Sequence, residues 1–486
     1  LAAGPFAGNL FWQGFGGVCE VDNAGDPIVL YDHLAERWVF SQFTSSQNVD
    51  GHQCVAISDG EDPLGPYTLF DFTVSPGAFN DYPKITVWPD GYYMTTHEFG
   101  PDAFLGVNLT VFDRDAMLAG AADASFIQFT QSNSGDDLEF GSQVGHLEGN
   151  DLPPAGSCNT VVHAADAQAF GLPGEDRFRF WRACVDFDNP DNSSLDQVDS
   201  INVPNFDQNF CNFQRNCLEQ NSASGNRLDA LAGFTMYRFS QRYFPEEGVL
   251  KSAVTVNVDV GNDRAGVMWA GFDVNPQTSA ASIGDNGNLL GVIDFDDNLN
   301  RWMGSAAVDA LGNIGIGYTV AGTGVFPSIR YTVHERGIDQ AGQVQAEASC
   351  IEGTGSTEGA NRWADYTSTS VDPENQCTFW HTSEYVETTG NRQWNTRVCS
   401  FTVPSCLDTE PDFPISLETE RRGRNRVRLS WDGADGRRVD IFRDGRLRAR
   451  TRNDGRFTDR IGRGTFSYQV CERNSDVCSN FSVVTR

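Results

Sequence analysis

Asn300-Arg301-Trp302 opens the stretch NRWMGSAAVDALGNIGIGYTV (300–320), and the same triplet opens NRWADYTSTSVDPENQCTFWHTSEY (361–385), an offset of 61 residues. Each copy continues through a strand-like run ending in Val-Asp, at 308–309 and 371–372, then turns and enters a second strand-like run. Working outward, DPIVLYDHLAERWVFSQF (26–43) and DYPKITVWPDGYYMTTHEF (81–99) repeat the strand–turn–strand logic. Short β-type runs punctuated by Gly, Asn, Asp and Pro predict an all-β protein. A unit of four short strands buries its faces only against neighbours, so several such units must close on themselves. Residues 1–405 at this period hold six or seven units, which predicts a six- or seven-bladed β-propeller. A large two-sheet sandwich is the competing architecture. One short helix is expected near 113–122, with Asp113 at its start.

Composition narrows the setting. The 486 residues carry a formal net charge of −31, with only two lysines, Lys84 and Lys251. The acid excess sits entirely in the body, because residues 411–486 hold 17 Arg against 11 Asp and Glu. An acidic surface of this kind excludes nucleic acid, whose phosphates need a basic footprint. No apolar run is long enough for a membrane-spanning helix. The twelve cysteines include no Cys-x-x-Cys, so disulfides in an oxidising compartment are preferred to zinc or redox motifs. Local spacing favours the pairs 211–217, 377–399 and 471–478. The chain opens Leu-Ala-Ala-Gly-Pro with no signal-like segment, which reads as a mature secreted form.

Residues 404–413 (PSCLDTEPDF) mark a change of composition. The domains expected are a propeller over 1–405, a linker over 406–413 and a small β-sandwich over 414–486. Alternating strands at 427–431, 439–443, 466–470 and 481–484, with the run VDIFRDG (439–445), resemble a fibronectin type III-like module of bacterial secreted enzymes. The body is similar, through GDPIVLYDHLAERWVFSQF (25–43), 301–320, PSIRYT (327–332) and 362–385, to a family of secreted bacterial propeller proteins to which no reaction is attached. It is loosely similar to sialidase-like propellers too. The Ser-x-Asp-x-Gly-x-x-Trp box of those proteins is missing, and VWPDGY (87–92) is the nearest turn.

Candidate chemistry gathers around the second Asn-Arg-Trp copy. Arg362, Asp365 and Tyr366, with His381 and Glu384 on the next strand and Arg330 from the preceding unit, supply what a glycan-processing site needs. Arg330 or Arg362 would neutralise a uronate in a lyase, with Tyr366 or His381 as base. Asp365 and Glu384 would form the carboxylate pair of a hydrolase. The opposing reading ties Arg-Trp and Asp-Tyr between blades as packing. No HExxH and no Gly-x-Ser-x-Gly occurs, which argues against a zinc protease and an esterase triad. The acidic loops at 186–191 and 294–298 offer Asp186, Asp188, Asp294 and Asp296 as ligands for calcium, and no organic cofactor is expected. The stretch 186–220 reads as a long insertion, pinned by Cys211 and Cys217 as a lid.

Two functions remain open at this point. One is a secreted, extracellular propeller engaging polysaccharide or cell-surface glycan as a lyase or hydrolase. The other is a non-catalytic binding or self-assembling surface protein. Its basic C-terminal module, with Arg421, Arg422, Arg424, Arg426 and Arg428 at mostly alternate positions, would then serve as anchor.

Overall fold

The computed structural model describes residues 7–45, 50–131, 138–408, 415–423, 425–443, 446–462, 464–473, 477–479 and 482–485. The chain divides into two compact units, Leu1–Val403 and Pro404–Arg486. Most of the expected linker, 409–413, lies outside the described residues.

The larger unit is all-β, and six strands organise it: Gly25–Asp32 (β1), Phe79–Trp88 (β2), Gln143–Glu148 (β3), Phe239–Phe244 (β4), Asn300–Val308 (β5) and Ser368–Val371 (β6). β1, β2 and β5 each lead a four-stranded antiparallel sheet in simple chain order. β6 leads a three-stranded one. β3 and β4 pair in parallel, from Phe239 opposite Gly145 to Arg242 opposite Glu148, which fuses their sheets into one of nine strands. Each leading strand packs beside the next along the chain, β1 on β2, β2 on β3, and so on to β5 on β6. The segment preceding β6 then returns to β1 and β2 through Tyr366 and Asp365. This succession of meanders about a shared axis is the β-propeller arrangement that the 61-residue period predicts.

Burial follows from that arrangement. Every residue of β3 and β5 is buried, because neighbouring sheets cover both faces. Out at the rim, the strand Ser194–Asn202 has no buried residue. The repeated triplet is genuine at the level of packing. Trp302 and Trp363 are both fully buried, and their indole Nε1 groups donate to Asp229 O and Thr319 Oγ1, each at 3.1 Å. The residue after each tryptophan, Met303 and Ala364, adopts the left-handed backbone region, an uncommon conformation for a side-chain-bearing residue.

The expected helix forms over Arg114–Leu118, where Asp113 Oδ1 accepts the Ala116 amide at 2.9 Å. The expected lid takes a different form. Its first part is the rim strand Ser194–Asn202, and in its second part Phe210, Cys217 and Leu218 are buried with Trp302 and Trp363, joined by Leu228 and Leu231 from the chain beyond, so that their apolar side chains leave water.

All twelve cysteines are disulfide-bonded. The pairs 211–217 and 471–478 form as expected, alongside 19–54 and 158–184. The expected pair 377–399 does not form. Cys399 bonds instead to Cys350, on the edge strand Ala348–Ile351 of the preceding sheet, and so ties two sheets together.

The smaller unit holds a three-stranded sheet (Ser416–Arg421, Arg426–Asp432, Arg456–Arg460) and a four-stranded sheet (Arg438–Arg443, Arg446–Arg452, Thr465–Glu472, Ser482–Thr485). Leu417, Val427, Leu429, Val439, Ile441 and Val470 from both sheets share one core. The buried Asp459 receives Arg443 Nη1 at 2.7 Å, Arg448 Nη2 at 2.8 Å and the Tyr468 hydroxyl at 2.9 Å. Arg424 lies outside the described residues. Arg426 and Arg428 alternate with buried Val427 and Leu429, so they share the outward face as expected.

Candidate active site

A cavity of about 1000 Å³ opens where the leading ends of β1 and β6 meet, walled by Asp26, residues 359–367, Glu384 and Trp394. Its shape begins with the backbone. The left-handed turn at Ala364 folds 362–366 back on itself, so that Arg362 Nη2 donates to Asp365 Oδ2 at 2.8 Å. The Ala364 amide donates to Glu384 Oε2 at 3.2 Å. The Tyr366 hydroxyl donates to Asp26 Oδ2. Beneath the turn, the buried Lys84 donates to Asp365 O at 3.0 Å, with its ammonium 3.5 Å from the Tyr366 ring centre and 3.6 Å from that of Tyr82. Cation–π contacts of this kind gain strength away from water.

The carboxyl groups here are not equivalent. Burial pushes Glu384 up to about 7, and the Asp365 charge adds to the effect. It therefore holds its proton near neutral pH and can donate it. Asp365 has Arg362 on one oxygen, while its other oxygen, Oδ1, is buried without a hydrogen-bond partner among the described residues. Burial raises Asp26 and Asp81 above the usual aspartate range and lifts Asp229, behind the cleft, to about 6. Burial also brings Lys84 down to about 7 against the pull of Asp365, Asp26 and Asp81. The Tyr366 phenol is held well above its ordinary value by burial and by Asp26, so it serves as a donor. Trp394 is 53% exposed at the rim, an open indole face of the kind that stacks on a sugar.

Four of the six residues expected from sequence, Arg362, Asp365, Tyr366 and Glu384, therefore line one cleft. The other two do not. Arg330 lies on Val325–His334, where Glu352 holds it at 2.9 and 3.0 Å and Glu347 at 2.7 Å. His381 is completely buried on Thr378–Tyr385, three residues from Glu384, and strand alternation sends the two to opposite faces. Asp26, Lys84 and Trp394 were not anticipated.

The loops considered for calcium hold their carboxylates in contacts of their own. Asp186 accepts the Asn189 amide and Asn192 Nδ2, both at 2.8 Å, closing its own turn, and Asp188 is exposed. Asp294 engages the guanidinium of Arg264 with both oxygens, and Asp296, in the left-handed region, donates its backbone amide to Asp294 Oδ1 at 3.2 Å. Among the described residues, none of the four belongs to a cluster of three converging ligand atoms.

No family model matches the chain, and no curated relative does. Among solved structures it is similar to a protein of unknown function from Dyadobacter fermentans, at 10% identity over 83% of this chain and 89% of that one, with a TM-score of 0.32. It is similar to the α-L-arabinofuranosidase of Fusarium graminearum, at 8% identity over 78% and 93%, with a TM-score of 0.36. A polysaccharide lyase acting as an ulvan lyase matches at 11% identity over 97% and 80%, with a TM-score of 0.27.

Proposed function

We propose that the protein is a secreted glycoside hydrolase acting on an extracellular polysaccharide, with Glu384 as proton donor and Asp365 as its carboxylate partner. A single observation supports this most. One cleft presents a carboxyl group raised to about 7, so that it carries a transferable proton near neutral pH, and a second carboxylate with an oxygen that has no partner among the described residues. That division of roles is what glycosidic cleavage requires. Trp394 offers a stacking platform, and Arg362, whose side chain is 57% exposed, is free to meet a substrate hydroxyl or acidic group. A lyase is disfavoured, because Arg362 could meet a uronate but of the two expected bases His381 lies outside the cleft and Tyr366 is already a donor to Asp26. Counting the nine-stranded sheet as two blades gives a six-bladed propeller. The strand order of the smaller unit supports a fibronectin type III-like sandwich. Six disulfides fit folding in an oxidising compartment, and among the described residues no helix is long and apolar enough to cross a membrane.

Reducing-end release from neutral and acidic polysaccharides is the test, with Glu384→Gln and Asp365→Asn as paired variants. Release by the parent chain and its loss in both variants is expected. Retained binding with no release from any polysaccharide would replace the hydrolase with the non-catalytic platform.

A further inference from the structure

We propose that a second cavity, at the trailing ends of β1, β3 and β6, binds a neutral polyhydroxylated ligand of monosaccharide size. Its volume is about 320 Å³, at the small end of the roughly 300–1,000 Å³ range of small-ligand pockets. Its walls include His33, His146, Glu148, Arg238, His381 and Trp380. None of the hydrolase-cleft side chains Asp26, Arg362, Asp365, Tyr366, Glu384 and Trp394 lines this cavity.

Hydrogen bonding fixes what the imidazoles present. Thr369 Oγ1 donates its one proton to Ser305 O at 2.8 Å. It must therefore accept from His381 Nδ1, also 2.8 Å away, so the His381 proton sits on Nδ1. His381 Nε2 is left as a bare lone pair, fully buried and without a partner among the described residues. His146 Nδ1 accepts the Val87 amide at 3.2 Å, which places its proton on Nε2 as a donor. His33 Nε2 donates to Gly149 O at 2.7 Å. Burial holds all three rings below their ordinary value, His381 at about 3, so they are neutral.

Charge balance then selects the ligand. Arg238 is the cation and Glu148 the anion, 3.3 Å apart and both buried. An anionic ligand would meet Glu148, and a cationic one would meet Arg238. A hydroxyl group both donates and accepts. It can hydrogen-bond to the neutral and charged residues that line the cavity without unbalancing the pair. Two indoles complete the site. Trp38 Nε1 is held by Glu61 O and Trp380 Nε1 by Asp372 Oδ2, each at 3.0 Å, and Trp380 is 42% exposed at the rim. Rings fixed in this way present faces to a sugar at little entropic cost.

The test uses the full chain and ligand-observed saturation-transfer NMR. Glucose, galactose and arabinose serve as neutral probes, and glucuronate and glucosamine as charged ones. A neutral sugar should bind, and Trp380→Ala and His381→Phe should each weaken it at least about tenfold. Trp394→Ala, in the first cleft, should leave that affinity unchanged. If His381→Phe does not fold, Trp380→Ala decides alone. Three results would overturn the assignment: tighter binding of a charged probe, no neutral binding up to about 50 mM, or a loss caused by Trp394→Ala in place of Trp380→Ala.

Discussion

Replacing Glu384 by Gln removes a proton-binding site while keeping the shape that accepts the Ala364 amide. Burial moves this carboxyl from the ordinary 4.5 of a glutamate to about 7. A folded-state value above the unfolded one means that the folded chain binds the proton more tightly. Glu384 therefore imposes no ionisation penalty below about pH 4.5, and its penalty grows as pH rises to about 7. The full gap is worth about 3 kcal/mol, at about 1.4 kcal/mol for each pH unit. Urea denaturation of the parent and Glu384→Gln, with disulfides intact, should show the variant's relative stability rising by about that amount between pH 4.5 and pH 7.5. A difference that stays flat across this interval would refute the reasoning, because Glu384 would then ionise as freely folded as unfolded. It would remove the proton donor from the proposed reaction as well.

Trp394→Ala should weaken polysaccharide binding about tenfold in affinity electrophoresis without moving the melting temperature, since the ring is mostly outside the core. Asp459→Asn should destabilise the smaller unit by about 3 kcal/mol, read as faster hydrogen exchange in Arg426–Asp432 and Thr465–Glu472. The surrounding donors hold the Asp459 carboxyl below its ordinary value, so its contribution is present above that value and lost as acid protonates it, and parent and variant should converge there. Opening Cys350–Cys399 by a double serine substitution frees a loop with a sequence separation of 49 residues. Chain entropy then predicts a loss of about 4 kcal/mol in chemical denaturation.

The triplet at 300 and 361 carried the architecture because tryptophan burial and a left-handed following residue are local demands, repeated wherever the unit repeats. Its arginines show where that logic stops. Arg301 is buried against Asp297 and Glu347, whereas Arg362 is half in water beside Asp365. The same letters thus serve packing in one unit and a cleft in the other, according to which acids the neighbouring loops supply. His381 was grouped with Glu384 by proximity along the chain, although an odd spacing on a strand already separates their faces. Asp26 could not be found in this way. Its partner Tyr366 is 340 residues distant and meets it only when the last sheet returns to the first. Lys84 looked like an isolated rarity until two tyrosine rings enclosed it.

The parallel splice between β3 and β4 has a mechanical consequence. Two sheets stitched by backbone bonds must open together, whereas the first and last sheets are joined, among the described residues, by side-chain contacts such as Tyr366 to Asp26. Under load or mild denaturant the circle should part at that second joint, like a clasp bracelet with one soldered link. Both cavities lie along the clasp, so whatever occupies them also latches it.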